Sequence, residues 1–177
     1  MPTLYDKLQR KANARLLILT SSGLDLPPAL EAGLAAPEGT TLARTLRKGE
    51  RFDFALAFVR TLAEVEQRAA ELAAAVPGDG LVWFAYPKAS SKRHRCEFNR
   101  DTGWSALGEH GFEPVRQVAL DEDWSALRFR RVEHIGAMTR HPDGALTKAG
   151  RAKAEAGRAR KTSSATAKPR RNRSTPL

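Results

Sequence analysis

The chain has 177 residues, 41% of them hydrophobic, which suits one packed domain with some residues to spare. Its formal charge of +10 is unevenly spread: from His134 onward there are 11 basic and two acidic residues, leaving 19 basic against 18 acidic before it. No apolar run reaches the roughly 20 residues that span a bilayer, no hydrophobic segment follows the N-terminal charges, and the single cysteine excludes an intrachain disulfide or a multi-cysteine zinc site, so a cytoplasmic protein is expected.

Strand and helix signals alternate over residues 14–131. Arg15–Thr20 (RLLILT) is a short apolar, β-branched run that enters a Ser-Ser-Gly loop, as a buried strand does. Pro27-Pro28 opens a short helix to about Leu34, because proline is tolerated in a first helical turn. Thr40–Leu46 reads as a weaker strand. Phe52–Val59 (FDFALAFV) is a second buried strand. Thr61 with Glu64 three residues on predicts a capping box, and Leu62, Val65, Ala69, Leu72 and Val76 fall on one face of the helix that follows. Pro77-Gly78-Asp79-Gly80 stops that helix and turns the chain into the strand Leu81–Tyr86. Asn99 to His110 reads as helical, with Trp104 and Leu107 inward and Gly111 as the stop. Glu113–Leu120 and Ser125–Arg131 form a hairpin around the acidic turn Asp121-Glu122-Asp123. Trp83, Phe84, Trp104 and Trp124 are expected in the core. Repeated βα units favour a mostly parallel α/β sheet with helices on both faces.

Past Arg131 large apolar residues almost vanish. The division predicted is residues 1–133 as the α/β domain and 134–177 as a basic, disordered tail with at most transient helix.

The order FDFALAFV, LAEVEQRAAELAAAV, PGDG, LVWFAYP, LGEHGFEPVRQVAL, WSALRFR resembles the second half of a class I S-adenosylmethionine-dependent methyltransferase. More narrowly, Tyr86-Pro87-Lys88, Ser90-Ser91-Lys92, Asn99-Arg100-Asp101, Trp104 and Asp123–Arg128 resemble a group of small bacterial proteins defined as a domain of unknown function (DUF3052-like). The resemblance spans roughly residues 4–131. It implies a Rossmann-like sheet whose last strand is antiparallel and lies beside Leu81–Tyr86. The chain departs from the methyltransferase pattern at two places. The turn after the first strand, Thr20-Ser21-Ser22-Gly23-Leu24-Asp25, has one glycine and no G-x-G. The end of the second strand, Thr45-Leu46-Arg47-Lys48, is basic where an acid would hold the ribose hydroxyls. With the glycine-rich loop absent, no cofactor is expected, S-adenosylmethionine being the possible one.

Ligands of open α/β sheets bind beyond the carboxyl ends of the strands. Pro87–Arg95 (PKASSKRHR) emerges there, so Lys88, Lys92 and Arg95 are candidate anion ligands, with Ser90 and Ser91 donating hydroxyls. Arg60, Tyr86 and Arg100 complete the set. His94 and Cys96 are too few for a zinc site, no metal is expected, and Ser91-Lys92 is too local to define a hydrolase. In the tail, Lys148, Arg151, Lys153, Arg158, Arg160, Lys161, Lys168, Arg170, Arg171 and Arg173 are spaced like a segment that neutralises DNA or RNA phosphates without reading bases. The expectation is therefore a non-catalytic protein recognising a phosphate-containing ligand, with nucleic-acid attraction from the tail. The alternative is a divergent S-adenosylmethionine-dependent transferase.

Overall fold

The computed structural model describes residues 1–12, 14–138 and 140–166, side chains of 164–166 excepted. The elements in chain order are α1 (Leu4–Lys7), β1 (Arg15–Leu19), α2 (Pro28–Gly33), β2 (Thr41–Ala43), β3 (Phe54–Phe58), α3 (Leu62–Ala75), β4 (Leu81–Pro87), α4 (Ser105–Glu109), β5 (Phe112–Ala119), β6 (Trp124–Arg131) and α5 (Lys148–Thr166). They build one six-stranded sheet in the order β2-β1-β3-β4-β6-β5. The first four strands are mutually parallel, and β6 runs antiparallel between β4 and β5. This is the mixed Rossmann-like, methyltransferase-like sheet expected, with the last strand inserted beside β4.

The continuous apolar runs are explained by burial on both sheet faces. On one face Phe54, Leu56, Phe58, Trp83 and Ala85 pack under Tyr5 and Leu8 at the N-terminal end and under Leu30 and Leu34 of the α2 region. On the other, Ala55, Ala57, Val82, Phe84 and Tyr86 meet Val65, Ala69, Leu72 and Ala75 of α3 together with Trp104 and Leu107. The α3 cap is half the predicted box. Thr61 Oγ1 accepts from the Glu64 amide at 3.2 Å, but the Glu64 carboxylate accepts from the Arg60 amide instead of the cap residue's own. Leu62, assigned inward by periodicity, is 49% exposed.

Tyr5 ties α1 to the sheet by donating its hydroxyl to the Leu34 carbonyl at 2.8 Å. Burial pushes its pKa from about 10 up to about 12, and burial pushes Tyr86 in the same direction. A raised phenol pKa means the fold favours the neutral form. That stability is fully present below pH 10 and is lost as pH climbs towards 12. Urea midpoints measured at pH 8 and pH 11 should therefore fall with pH, and the fall should shrink in Tyr5→Phe.

Two segments depart from expectation. Asn99–Thr102 is a tight turn, not the start of a helix: Asn99 Oδ1 accepts from the amides of Asp101 and Thr102, offering the backbone a local alternative to helical bonds. Only Ser105–Glu109 is helical there. The second is the segment predicted to be disordered. Residues 135–138 and 140–146 form a strap beside the β5–β6 hairpin, with Arg140 donating to the Pro114 carbonyl, and 148–166 form α5. Ile135, Met138 and Ala154 make a small buried cluster, and the Lys153 ammonium donates to the Val132 carbonyl at 2.6 Å and to that of Ile135. The carboxylate of Glu113, fully buried, accepts from the amides of Leu146 and Thr147 at 2.7 and 2.8 Å. Docking is polar more than apolar, which hydrophobic periodicity does not register. Among the described residues no helix is long and apolar enough to cross a membrane.

Candidate functional site

The strand order reverses between β1 and β3. From β1 the chain passes through α2 to β2 on one side, and from β3 through α3 to β4 on the other. The crevice above this switch point is where such sheets place ligands. The segments that leave the carboxyl ends of the strands there are the Thr20–Asp25 turn, the β3–α3 junction Val59-Arg60-Thr61 and the loop after β4. Ser21 donates its hydroxyl to the Phe58 carbonyl at 3.3 Å, and Arg68 of α3 donates to the Thr20 carbonyl at 3.3 Å, so both strand ends are held by long-range bonds. Glu97 clamps the third of these segments: its amide donates to the Arg60 carbonyl, and its carboxylate accepts from the Leu62 amide at 2.8 Å. Arg68 and Glu97 carry no signal in the sequence, since their partners lie 48 and 35 residues away.

The basic loop is engaged inward. Lys88 Nζ donates to the Asp121 carbonyl at 2.7 Å, and Ser91 Oγ donates to Asp123 Oδ1 at 2.8 Å. Ser91 Oγ also accepts from the amides of Arg93 and His94, and the Arg93 guanidinium lies 3.8 Å from the buried Asp123 carboxylate. The acidic turn Asp121–Asp123 is thus the internal acceptor for this loop, with Asp121 Oδ1 also accepting from the Asp123 and Trp124 amides. Tyr86 is buried among Phe98 and Trp104, and its hydroxyl accepts from Gln117. Ser90, Lys92 and Arg95 are exposed and make no side-chain hydrogen bond or ion pair among the described residues. Arg60 borders the crevice through its backbone bonds, while Arg100 lies beyond it, beside Trp104, whose indole N–H donates to the Asn99 and Arg100 carbonyls. Of the predicted ligand set, Lys88, Ser91 and Tyr86 are thus held by internal partners, while Ser90, Lys92 and Arg95 stay exposed. Cys96 is half-buried, and burial pushes its thiol upward, away from thiolate. Among the described residues no cluster could hold a metal ion.

Two cavities stand away from the crevice. One of about 650 Å³ lies under the strap, lined by Trp104, Gln117, Leu127, Met138 and Leu146 among others. One of about 270 Å³ sits at the amino ends of the strands beside Asp53 and Gly80. Of the tail cations, Lys153 is an internal anchor, whereas Lys148, Arg151, Arg158 and Arg160 are exposed. Lys161 is exposed as well, and Lys168, Arg170, Arg171 and Arg173 lie outside the described residues.

No protein-family model and no curated protein sequence matches the chain. Solved structures do resemble it. An N-methyltransferase, NodS, from Bradyrhizobium japonicum with S-adenosyl-L-homocysteine is 15% identical, covering 72% of this chain and 85% of its own at a TM-score of 0.44. An S-adenosylmethionine-dependent methyltransferase from Mesorhizobium loti is 16% identical, covering 72% and 95% at 0.45. A fibrillarin from Aeropyrum pernix with S-adenosyl-L-methionine is 15% identical, covering 67% of each chain at 0.44. The expectation of a non-catalytic binder of a phosphate-containing ligand is corrected. Lys88 and Ser91, the centre of that expected site, are spent on the acidic turn.

S-adenosylmethionine, the group that the sequence resemblance implies, meets only part of a cradle among the described residues. Gly23 sits at φ +73°, a left-handed conformation that glycine adopts without strain, and no side chain crowds the Ser21–Gly23 turn there. The ribose end fits less well: Arg44 follows β2, paired with Glu31 of α2, and no acid stands at that strand's end.

Proposed function

We propose that this protein is a divergent S-adenosylmethionine-dependent transferase with a cytoplasmic setting. The observation that carries the reading is the strand order β2-β1-β3-β4-β6-β5 with β6 antiparallel, a class I arrangement whose reversal between β1 and β3 sets the crevice. When bound, such a cofactor supplies an electrophilic methyl group. The groups here that would hold it are the Ser22 hydroxyl and the Ser21–Gly23 amides, at its amino-acid end, the Ser21 hydroxyl being engaged with the Phe58 carbonyl. Without an acid after β2, the ribose contributes less than usual. Calorimetric titration with S-adenosylmethionine and S-adenosylhomocysteine should give dissociation constants in the micromolar range, on the order of 10 μM, or about −7 kcal/mol. Absence of heat and of any melting shift at about 1 mM ligand would leave the sheet as scaffold alone.

A further inference from the structure

Helix α5 presents two unlike faces. Gly150, Lys153 and Ala154 form the docked one, against Glu113, the Val132 and Ile135 carbonyls, and Met138. A Cβ on Gly150 would collide with the Glu113 carboxylate, so the helix start lies flush on β5. Lys148, Arg151, Glu155 and Arg158 follow i, i+3, i+7, i+10 spacing and form a separate exposed stripe. The three cations make no side-chain hydrogen bond or ion pair among the described residues, so with Glu155 among them the stripe stays net positive.

We propose that this stripe of α5 is a nucleic-acid-binding surface that contacts backbone phosphates without reading bases. The inference is independent of the transferase reading. Charge complementarity selects the partner. Residues 1–133 are nearly neutral, so attraction for a polyanion concentrates on this arm, and the sequence adds Lys168, Arg170, Arg171 and Arg173 beyond it. A bilayer surface is a poorer match, because interfacial helices insert a broad apolar face. The apolar side chain α5 buries, Ala154, is already covered by Ile135 and Met138. Docking turns the arm from a floating charge run into a surface fixed at the hairpin edge, with Lys153 withdrawn from the contact set.

Fluorescence anisotropy of the full chain with two labelled duplex DNAs of about 20 base pairs and unrelated sequence tests this. Both duplexes should bind equally, with affinity falling steeply as salt rises. The triple variant Lys148→Glu, Arg151→Glu, Arg158→Glu should weaken binding at least about tenfold and reduce the log–log salt slope by about three. The corresponding Gln variant should move in the same direction by less. A melting curve matching the parent's checks the fold. Failure of the parent to bind at about 50 mM salt would overturn the proposal. So would unchanged affinity and slope in the Glu variant, or a preference above about tenfold for one duplex.

Discussion

Replacing Trp104 with alanine is expected to lower stability by about 4 kcal/mol, a large share of the roughly 5–15 kcal/mol of a domain this size. The ring is 2% exposed and stands at the centre of an aromatic group. Its centroid lies 4.8 Å from that of Phe98, 5.1 Å from Phe129, 5.4 Å from Tyr86 and 6.0 Å from Phe84, mostly edge to face. Deleting it opens a void between α4, β4 and β6 that these rings cannot close without leaving their rotamers. The truncation also orphans the Asn99 and Arg100 carbonyls, which both accept from the indole N–H. Trp104→Phe separates the two contributions, since it keeps most of the volume and loses the hydrogen bonds, for about 1–2 kcal/mol. Urea unfolding should rank parent, Trp104→Phe and Trp104→Ala in that order. A cost below about 1 kcal/mol for the alanine variant would mean that the aromatic group is not the keystone of this face.

What the sequence disclosed followed from how local each cause is. The runs LILT, FDFALAFV and LVWFAY need no partner to be recognised, because a strand covered on both faces is apolar throughout. Thr61 announces α3 because a cap bonds within three residues. The antiparallel placement of β6 came from the resemblance in element order and stands in the structure. The site was less legible because its decisive contacts join distant residues. Lys88 meets Asp121 across 33 positions, and Ser91 meets Asp123 across 32. From composition alone a basic loop and an acidic turn look like two solvated features, when each is the other's partner. The helix at 148–166, inside the segment expected to be a disordered tail, is hidden in the sequence for a related reason. Its docking rests on the buried Glu113 carboxylate, the Lys153 ammonium and the Arg140 guanidinium, with Ile135, Met138, Leu146 and Ala154 assisting, so no apolar stripe advertises it.

Glu113→Ala tests that docking and should cost about 3 kcal/mol, in the range for removing one member of a buried charged pair. Glu113 is fully buried, and Oε1 accepts three bonds: from the Leu146 amide, the Thr147 amide and the Thr147 hydroxyl at 3.0 Å. Oε2 has no hydrogen bond and faces Arg140 at 3.8 Å. Burial holds the Arg140 guanidinium below its usual range, with Glu113 opposing that shift, so losing the carboxylate leaves a half-buried cation uncompensated. It also frees amides at the start of α5, where a helix has no internal acceptors. Nineteen residues of mostly Ala, Lys and Arg hold only marginal helix in water once undocked. The loss should therefore be local. Hydrogen exchange in α5 should speed up markedly, while the amides of β3 and β4 keep their protection. Trypsin should cut at Lys148 or Arg151 sooner than in the parent. Glu113→Gln should fall between, because an amide oxygen can replace Oε1 without restoring the charge opposite Arg140. If α5 keeps its protection in the alanine variant, Glu113 is not what clasps it. If instead the whole sheet loses protection together with α5, the arm is part of the cooperative core, and the fixed surface it presents belongs to the domain itself.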